Sequence, residues 1–409
     1  MSQAALVPKL RFSEFSDDWE EKRFVDITTK ISDGIHSTPN YDEGGTYSFV
    51  NGNNLVNGVI KINSQTKKVD ENEYTTHQRP LGSNTILISI NGTIGNLALY
   101  NNEKVVLGKS ACYLNINEKD TDKLYVFNLL RTCKIKRFFN SELTGSTIKN
   151  LSLTTIKNTK LNLPTKPEQQ KIAAFLTAVD TKIEQLSKKQ ELLGEYKKGS
   201  MQQIFSQAIR FKADDGSAFP DWEEKKLGDV GNFYRGHSYN STNVKDSGLL
   251  VLRSSNIKND SLILDNDLQF VNKDCSDNVS LKTNDIVICM ANGSKRLVGK
   301  SGIYHGDYNG KLTVGAFCSI FRTDNLLSKY ILQTVQYRKY LHILLAGTNI
   351  NNLKNSELSE LTFNLPVSSF EQTKIASFLS SIDNKIEQVG KQLDESKQFK
   401  KALLQQMFV

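Results

Sequence analysis

The sequence predicts an α+β protein with an internal pseudo-two-fold repeat. Two mixed α/β globules alternate with two long helices that pair as an antiparallel coiled coil. Three observations predict this. The chain matches itself at a shift of about 203 residues. The best-matching stretches carry apolar residues at alternating four- and three-residue steps. The stretches between them break into short apolar runs bounded by Asn and Gly.

The repeat sets the boundaries. Asp18-Trp19-Glu20-Glu21-Lys22 falls on Asp221-Trp222-Glu223-Glu224-Lys225, and these are the only two tryptophans in 409 residues. Gly145-Ser-Thr-Ile-Lys-Asn-Leu151 falls on Gly347-Thr-Asn-Ile-Asn-Asn-Leu353, and Asn162-Leu163-Pro164 on Asn364-Leu365-Pro366. Residues 168–205 and 371–408 agree at 18 of 38 positions, which places duplication beyond chance. Between these ends only fragments agree, among them His36-Ser37 with His237-Ser238. The expected domains are a globule at 1–165, a helix at 166–210, a globule at 211–367 and a helix at 368–409.

The first helix presents Ile172, Leu176, Val179, Ile183, Leu186 and Leu193 along one seam. The second presents Ile375, Leu379, Ile382, Ile386, Val389 and Leu393. Strict four-three alternation marks a coiled-coil seam rather than a broad globular face. Pro164, Pro167 and Pro366 precede the two helices. A helix over 168–208 would be about 60 Å long. Within the globules, 85–90, 105–107, 249–252, 285–290 and 314–320 read as short strands, and 124–139 and 328–345 as helices.

Composition bounds the function. A net charge of +8 with 38% hydrophobic residues describes a folded chain compatible with a polyanionic partner. The five cysteines lack any paired spacing, which points to a reducing cytoplasm and against structural zinc. No apolar run approaches membrane-spanning length, so no membrane partner is expected.

The catalytic motifs are near misses. Gly293-Ser-Lys-Arg-Leu-Val-Gly299-Lys300-Ser301 resembles a phosphate loop with one residue too many between its glycines, and poor helix starters follow it. Asp221 with Glu223-Glu224-Lys225 has the letters of a metal-dependent nuclease. Convergence on one metal needs those residues on neighbouring strands, not on one local element. The five histidines lie far apart, and no metal site is expected. His36 and His237 stand out because the letters put them in matching places.

The pattern Gly-(Ser/Thr)-x-Ile, Asn-Leu-Pro, Glu-Gln-x-Lys-Ile-Ala-x-Phe-Leu and Asp-x-Lys-Ile occurs twice, over 145–183 and 347–386. It is similar to the specificity subunits of type I restriction-modification systems, over essentially the whole chain. The resemblance implies that each globule is a target recognition domain for one half of a split double-stranded DNA site. It implies two docked methyltransferase subunits carrying S-adenosylmethionine, and motor-nuclease subunits using ATP and Mg2+ for restriction. It implies no catalytic residue and no cofactor in this chain. Diverged globules on a kept frame predict an asymmetric target with an unread gap. The helix length caps its span at roughly 18 base pairs.

The loop candidates for DNA contact are His36, Ser37, Lys109, Ser146 and Lys149 in the first half. In the second they are His237, Arg253, Asn256, Lys295, Arg296, Lys300 and Asn349. Arg253 and Arg296 could fork onto guanine and Asn256 could pair with adenine. For each residue the alternative is a solvated or turn-forming role. The alternative for the protein is a pseudo-dimeric coiled-coil scaffold without DNA specificity. A self-contained nuclease lacks a metal site.

Overall fold

The computed structural model describes residues 7–145, 149–346 and 351–409. The chain divides into two units, residues 1–188 with 390–409, and residues 189–389. Each unit contains one globule and a part of each long helix.

In the first unit the main elements are β1 (Glu20–Arg23), β2 (Thr28–Asp33), β3 (Tyr47–Val50), β4 (Thr85–Ser89), β5 (Leu97–Leu99), β6 (Val105–Leu107), β7 (Ala111–Ile116), α1 (Lys123–Leu130), α2 (Cys133–Ser141) and β8 (Lys160–Leu163), followed by the start of α3 (Lys166–Phe205). Strand β1 is the repeated Asp-Trp-Glu-Glu-Lys motif. It pairs antiparallel with β8, Glu20 opposite Leu163. The two motifs that bracket the globule in sequence therefore lie side by side. An antiparallel sheet runs β2-β7-β4-β5. A second sheet pairs β3 parallel to β6. Strand β7 is buried at all six positions because it serves two cores. Cys112, Leu114 and Ile116 pack with the helices, and Ala111 and Tyr113 with β3 and β6.

The second unit repeats the plan with β9 (Glu223–Lys226), β10 (Asn232–Arg235), β11 (Leu249–Leu252), β12 (Ile286–Cys289), β13 (Ser301–Ile303), β14 (Leu312–Val314), β15 (Cys318–Arg322), α4 (Ser328–Ile331), α5 (Val335–Ala346), β16 (Thr362–Leu365) and α6 (Ser369–Gln406). Strand β9 pairs with β16, Glu223 opposite Leu365. Strands β10, β15, β12 and β13 are neighbours in that order, and β11 is parallel to β14.

Three expected elements are divided. The run 314–320 is two strands in different sheets, because the chain turns after Val314 with the Cys318 N–H bonded to the Gly315 carbonyl at 2.8 Å. The helices expected over 124–139 and 328–345 are each broken. Thr132 caps α2, and the Thr334 hydroxyl accepts the Tyr337 N–H at the start of α5. Pro167 sits within the first turn of α3, where its missing N–H costs nothing.

The two long helices pair antiparallel within each unit. In the first, Ile172, Ala173 and Leu176 of α3 share a core with Leu403 of α6 and with Met407 just after it. In the second, Met201 and Ile204 share one with Ile375, Leu379 and Ile382. Each unit fastens them with the same ion pair. Lys400 meets Asp180 in the first, where Arg131 joins at 3.0 Å. Lys197 meets Asp383 at 2.7 Å in the second, where the Tyr330 hydroxyl donates at 3.0 Å. Burial, and then Asp383, push the Tyr330 phenol up, so it stays a donor.

A second repeated contact clasps each globule to a helix start. Glu168 and Glu371 are both 0% exposed. The Arg11 guanidinium reaches both oxygens of Glu168 at 2.8 Å, and Arg210 reaches both of Glu371 at 3.0–3.3 Å. Leu10 donates its N–H to Gln406 as Ile209 does to Gln203. The segment before β1 thus docks on the end of α6 as the segment before β9 docks on the end of α3.

Candidate nucleic-acid interface

Strand pairing gathers five connections at one end of each globule. In the first unit Ser89 opposes Ala111, and Asp33 opposes Cys112. The C-terminal ends of β2 and β4 thus lie beside the N-terminal end of β7. Val50 opposes Leu107, which aligns the C-terminal ends of β3 and β6. The connections leaving these ends carry His36-Ser37, Asn51–Asn54, Asn91–Gly95 and Lys109-Ser110. Asn150 closes the group by bridging to Asn91, with the Leu151 N–H bonded to the Ile90 carbonyl at 2.9 Å. Asn150 and Leu151, which end the repeated motif, therefore close this end.

The second unit assembles the same end. Arg235 opposes Ser319, Cys289 opposes Cys318, and Leu252 opposes Val314. Its connections carry His237-Ser238, Arg253–Asn256, Ala291–Gly299 and Ala316-Phe317. Asn352 bridges to Ala291, and the Leu353 N–H bonds the Met290 carbonyl at 2.8 Å.

Backbone bonds fix which residues correspond. The Ile35 N–H donates to the Leu107 carbonyl, and the His237 N–H to the Val314 carbonyl. Gly34 packs on Leu107 and Gly108 as Gly236 packs on Val314 and Gly315, too tightly in both cases for a Cβ. The partner of His237 is therefore Ile35, and His36 corresponds to Ser238. The letter match of the two histidines is one residue out of register, because pairing follows the backbone ladder and not side-chain identity.

In the first unit His36 is exposed and bonded to Asp33 at 2.9 Å. Ser37 and Lys109 are exposed on the same end. Lys149 is exposed, and its carbonyl accepts the Gly92 N–H. In the second, His237 is half-buried with an unpartnered Nε2. Burial, and then Lys273, hold it below the usual histidine value, so it stays neutral near pH 7. Arg253 forks onto Asp267. Lys295 and Arg296 are exposed, and among the described residues no carboxylate pairs with either. Ser146 and Asn349 lie outside the described residues.

Two expected contacts are corrected. Asn256 is 0% exposed. Its Oδ1 accepts the Arg253 N–H at 2.9 Å, and its amide donates toward the carbonyls of Ile263, Asn266 and Asp267. It builds the loop and displays no edge to a base. Asn54 makes the same contacts to Asn51 and Lys61 in the first unit. Lys300 also faces inward, its Nζ donating to the Ile257 carbonyl at 2.8 Å.

Several residues were missed. Asn53 accepts from Thr93 at 2.7 Å, and Asn292 donates to Ser254. These side chains lie among the gathered connections, and only the Asn-Gly turn letters hinted at them. Phe317 is exposed at the same end. The two ends also differ in length. Gly95 bonds back to Ser89 across five residues, 90–94, whereas Gly299 bonds back to Cys289 across nine, 290–298. The difference, nine minus five, is a four-residue insertion around Lys295 and Arg296. The former phosphate-loop candidate is this insertion. It runs into strand β13, not into a helix, and so lacks the helix N-terminus a phosphate needs. The nuclease-like Glu223, Glu224 and Lys225 lie exposed on one strand, β9. Among the described residues no group of three His, Cys, Asp or Glu could hold a metal ion.

Each end therefore offers cations that suit phosphates, and amides and hydroxyls that suit base edges. A mixed α/β globule with such an end, present in each of the two units, defines a duplicated recognition protein. The chain belongs to the type I restriction-modification DNA specificity family, whose profile matches residues 16–193 and 220–396. It is similar to the type I restriction enzyme MjaVIII specificity subunit of Methanocaldococcus jannaschii, 26% identical, covering 95% of this chain and 91% of that one. It is 30% identical to the EcoKI specificity subunit of Escherichia coli over 43% of this chain and 38% of that one. The fold matches the crystal structure of a type I restriction-modification S subunit from M. genitalium with a TM-score of 0.62 at 18% identity, over 99% of both chains. A specificity subunit is the DNA-recognition part of such a system and not its catalytic part. Among the described residues no helix is long and apolar enough to cross a membrane.

Proposed function

We propose that the two loop ends read two different half-sites of one double-stranded DNA target. One observation carries this. Both ends share the same backbone scaffold, yet one displays Lys109 and a five-residue connection where the other displays Ala316, Phe317 and a nine-residue basic one. A shared scaffold with different chemistry reads the same kind of ligand with a different sequence, so the target is bipartite and asymmetric. Exposed Lys and Arg supply phosphate contacts, and His36, Ser37, Arg253 and Arg296 stand where base edges would lie.

The duplicated helices dock two copies of one partner, a methyltransferase subunit that brings S-adenosylmethionine. Tyr196 and Phe399 support this reading. They are equivalent positions of α3 and α6, and are 56% and 52% exposed. Restriction subunits with ATP and Mg2+ join the same assembly. It works in the reducing cytoplasm, consistent with the free cysteines.

The test is to co-express the chain with its methyltransferase subunit and map methylation on random DNA. Methylation confined to one asymmetric split sequence supports the proposal. Absence of DNA binding by the complex, or methylation without sequence preference, overturns it in favour of a scaffold.

A further inference from the structure

Phe317 is 71% exposed. It sits in the connection between β14 and β15, within the loop end of the second unit. Its backbone is held firmly. The Phe317 carbonyl accepts the Met290 and Ala291 N–H groups at 2.8 and 3.2 Å. Two residues earlier, the Gly315 N–H bonds the Leu252 carbonyl at 2.8 Å, and the next residue, Cys318, is buried in the core. The ring thus projects from a hydrogen-bonded backbone.

The first unit uses the same position differently. Ser110 stands there, and its carbonyl accepts the Ile90 N–H. Its hydroxyl turns inward, accepting the Gly52 N–H and donating to Asn51 Oδ1, both at 2.9 Å. Ser110 is thus spent on its own loop, whereas the aromatic ring of Phe317 faces out.

We propose that Phe317 is an apolar reader of the second half-site, packing its ring against the 5-methyl group of a thymine. This rests on the DNA-reading role proposed above for the loop end. The connections gathered at this end also carry Ser254, Asn292 and Arg296, groups that suit phosphates and polar base edges. A phenyl ring offers these ligands nothing. The one apolar group that a duplex displays in its major groove is the thymine methyl. The second half-site therefore contains a thymine read through its methyl, and the first is read without such a contact at the Ser110 position.

The experiment uses the complex with the methyltransferase subunit and its mapped target. Each thymine of the target is replaced singly by deoxyuridine, which removes only the methyl. Binding is measured for the wild type, Phe317→Ala and Phe317→Ser. One replacement in the second half-site should weaken wild-type binding about fourfold, the worth of one buried methyl-sized group. Both variants should bind the unmodified target more weakly by at least that factor and be indifferent to that replacement. Replacements in the first half-site should act alike on all three proteins. The uridine scan of the wild type does not depend on either variant folding.

A second half-site without thymine overturns the proposal, and so does a scan flat across that half-site. If the scan is flat but Phe317→Ala reduces DNA bending measured by energy transfer, the ring is a wedge between base steps and the methyl contact is wrong. A wild-type complex without any sequence preference takes down the DNA-reading role itself. That outcome is distinct from preserved specificity with an idle Phe317.

Discussion

Arg210→Ala should unfold the second unit far more readily than its partial exposure suggests. The Arg210 side chain retains 25% exposure, but its partner Glu371 retains none. The guanidinium contacts both carboxylate oxygens and donates to the Pro220 carbonyl at 2.7 Å. It also lies 6.0 Å from the Trp222 ring. Removing it leaves a buried carboxylate without its cation, a change that costs about 3–5 kcal/mol. For a unit of this size each kcal/mol moves the midpoint by roughly 2–4 °C, so a loss of roughly 6–20 °C is expected. A Trp19→Phe background leaves Trp222 as the sole tryptophan reporter, and it resides in the second unit. Urea unfolding followed by its fluorescence then reports on that unit alone. Arg210→Met with Glu371→Leu removes both charges and should recover most of the loss, because burying two apolar groups costs no desolvation. A loss below about 1 kcal/mol for Arg210→Ala, or a double variant as unstable as the single, would refute the assignment of Glu371 as a buried charge dependent on Arg210.

Three other outcomes follow from the loop ends. Arg296→Ala should relax one position of the second half-site at a cost of about 1–3 kcal/mol if the guanidinium forks onto a base. If it meets phosphate, affinity should fall evenly across sequences and the salt slope should drop by about 0.9, both read from binding titrations at several salt concentrations. Asn256→Ala should lower stability by about 1–3 kcal/mol in denaturant titration without shifting the preferred target, because its polar atoms serve the loop backbone. Against pH, His237 acts as a base whose folded value lies below its unfolded one. Its contribution is fully present above the unfolded value and is lost as pH falls through about 6.5 towards the folded value. Thermal midpoints from pH 7.5 to 5 should therefore fall more steeply for the wild type than for His237→Gln, and parallel curves would remove the burial effect.

Much of the frame is legible in the sequence, for physical reasons. The seam residues of α3 and α6 follow one period over their length, and helix geometry turns that period into one face. All twelve expected seam positions are buried or half-buried. The Asp-Trp-Glu-Glu-Lys and Asn-Leu-Pro motifs are visible as repeats, but not as partners. Their pairing depends on a strand closing across about 140 residues, Glu20 against Leu163. The Arg11–Glu168 and Arg210–Glu371 clasps escape a constant-shift comparison because the chain adds a turn around Gly216 after Arg210, where Ala213 and Ser217 pair. The loop ends are the least legible part. A side chain's use there depends on whether the neighbouring loop supplies its partner. Asn256 and Lys300 look free as letters and are spent on carbonyls, whereas Phe317 looks like part of a buried strand and is presented outward.

The same contrast explains how the two units can keep one frame while their loop ends differ. The contacts fixing the helices to each other and to each globule are duplicated almost atom for atom, Asp180 with Lys400 as Asp383 with Lys197, and Glu168 with Arg11 as Glu371 with Arg210. Removing either arginine strands a carboxylate that is 0% exposed, at a cost of several kcal/mol. The loop ends carry no such coupling. Gly34 and Gly236 hold their scaffold through close backbone contacts, and the Asn54 and Asn256 loops close on their own carbonyls. Side chains at Lys109, Ala316 and Phe317, and four extra residues before Gly299, can then change with little effect on the core. The loop ends are free to vary because most of their backbone support is built without the side chains they display.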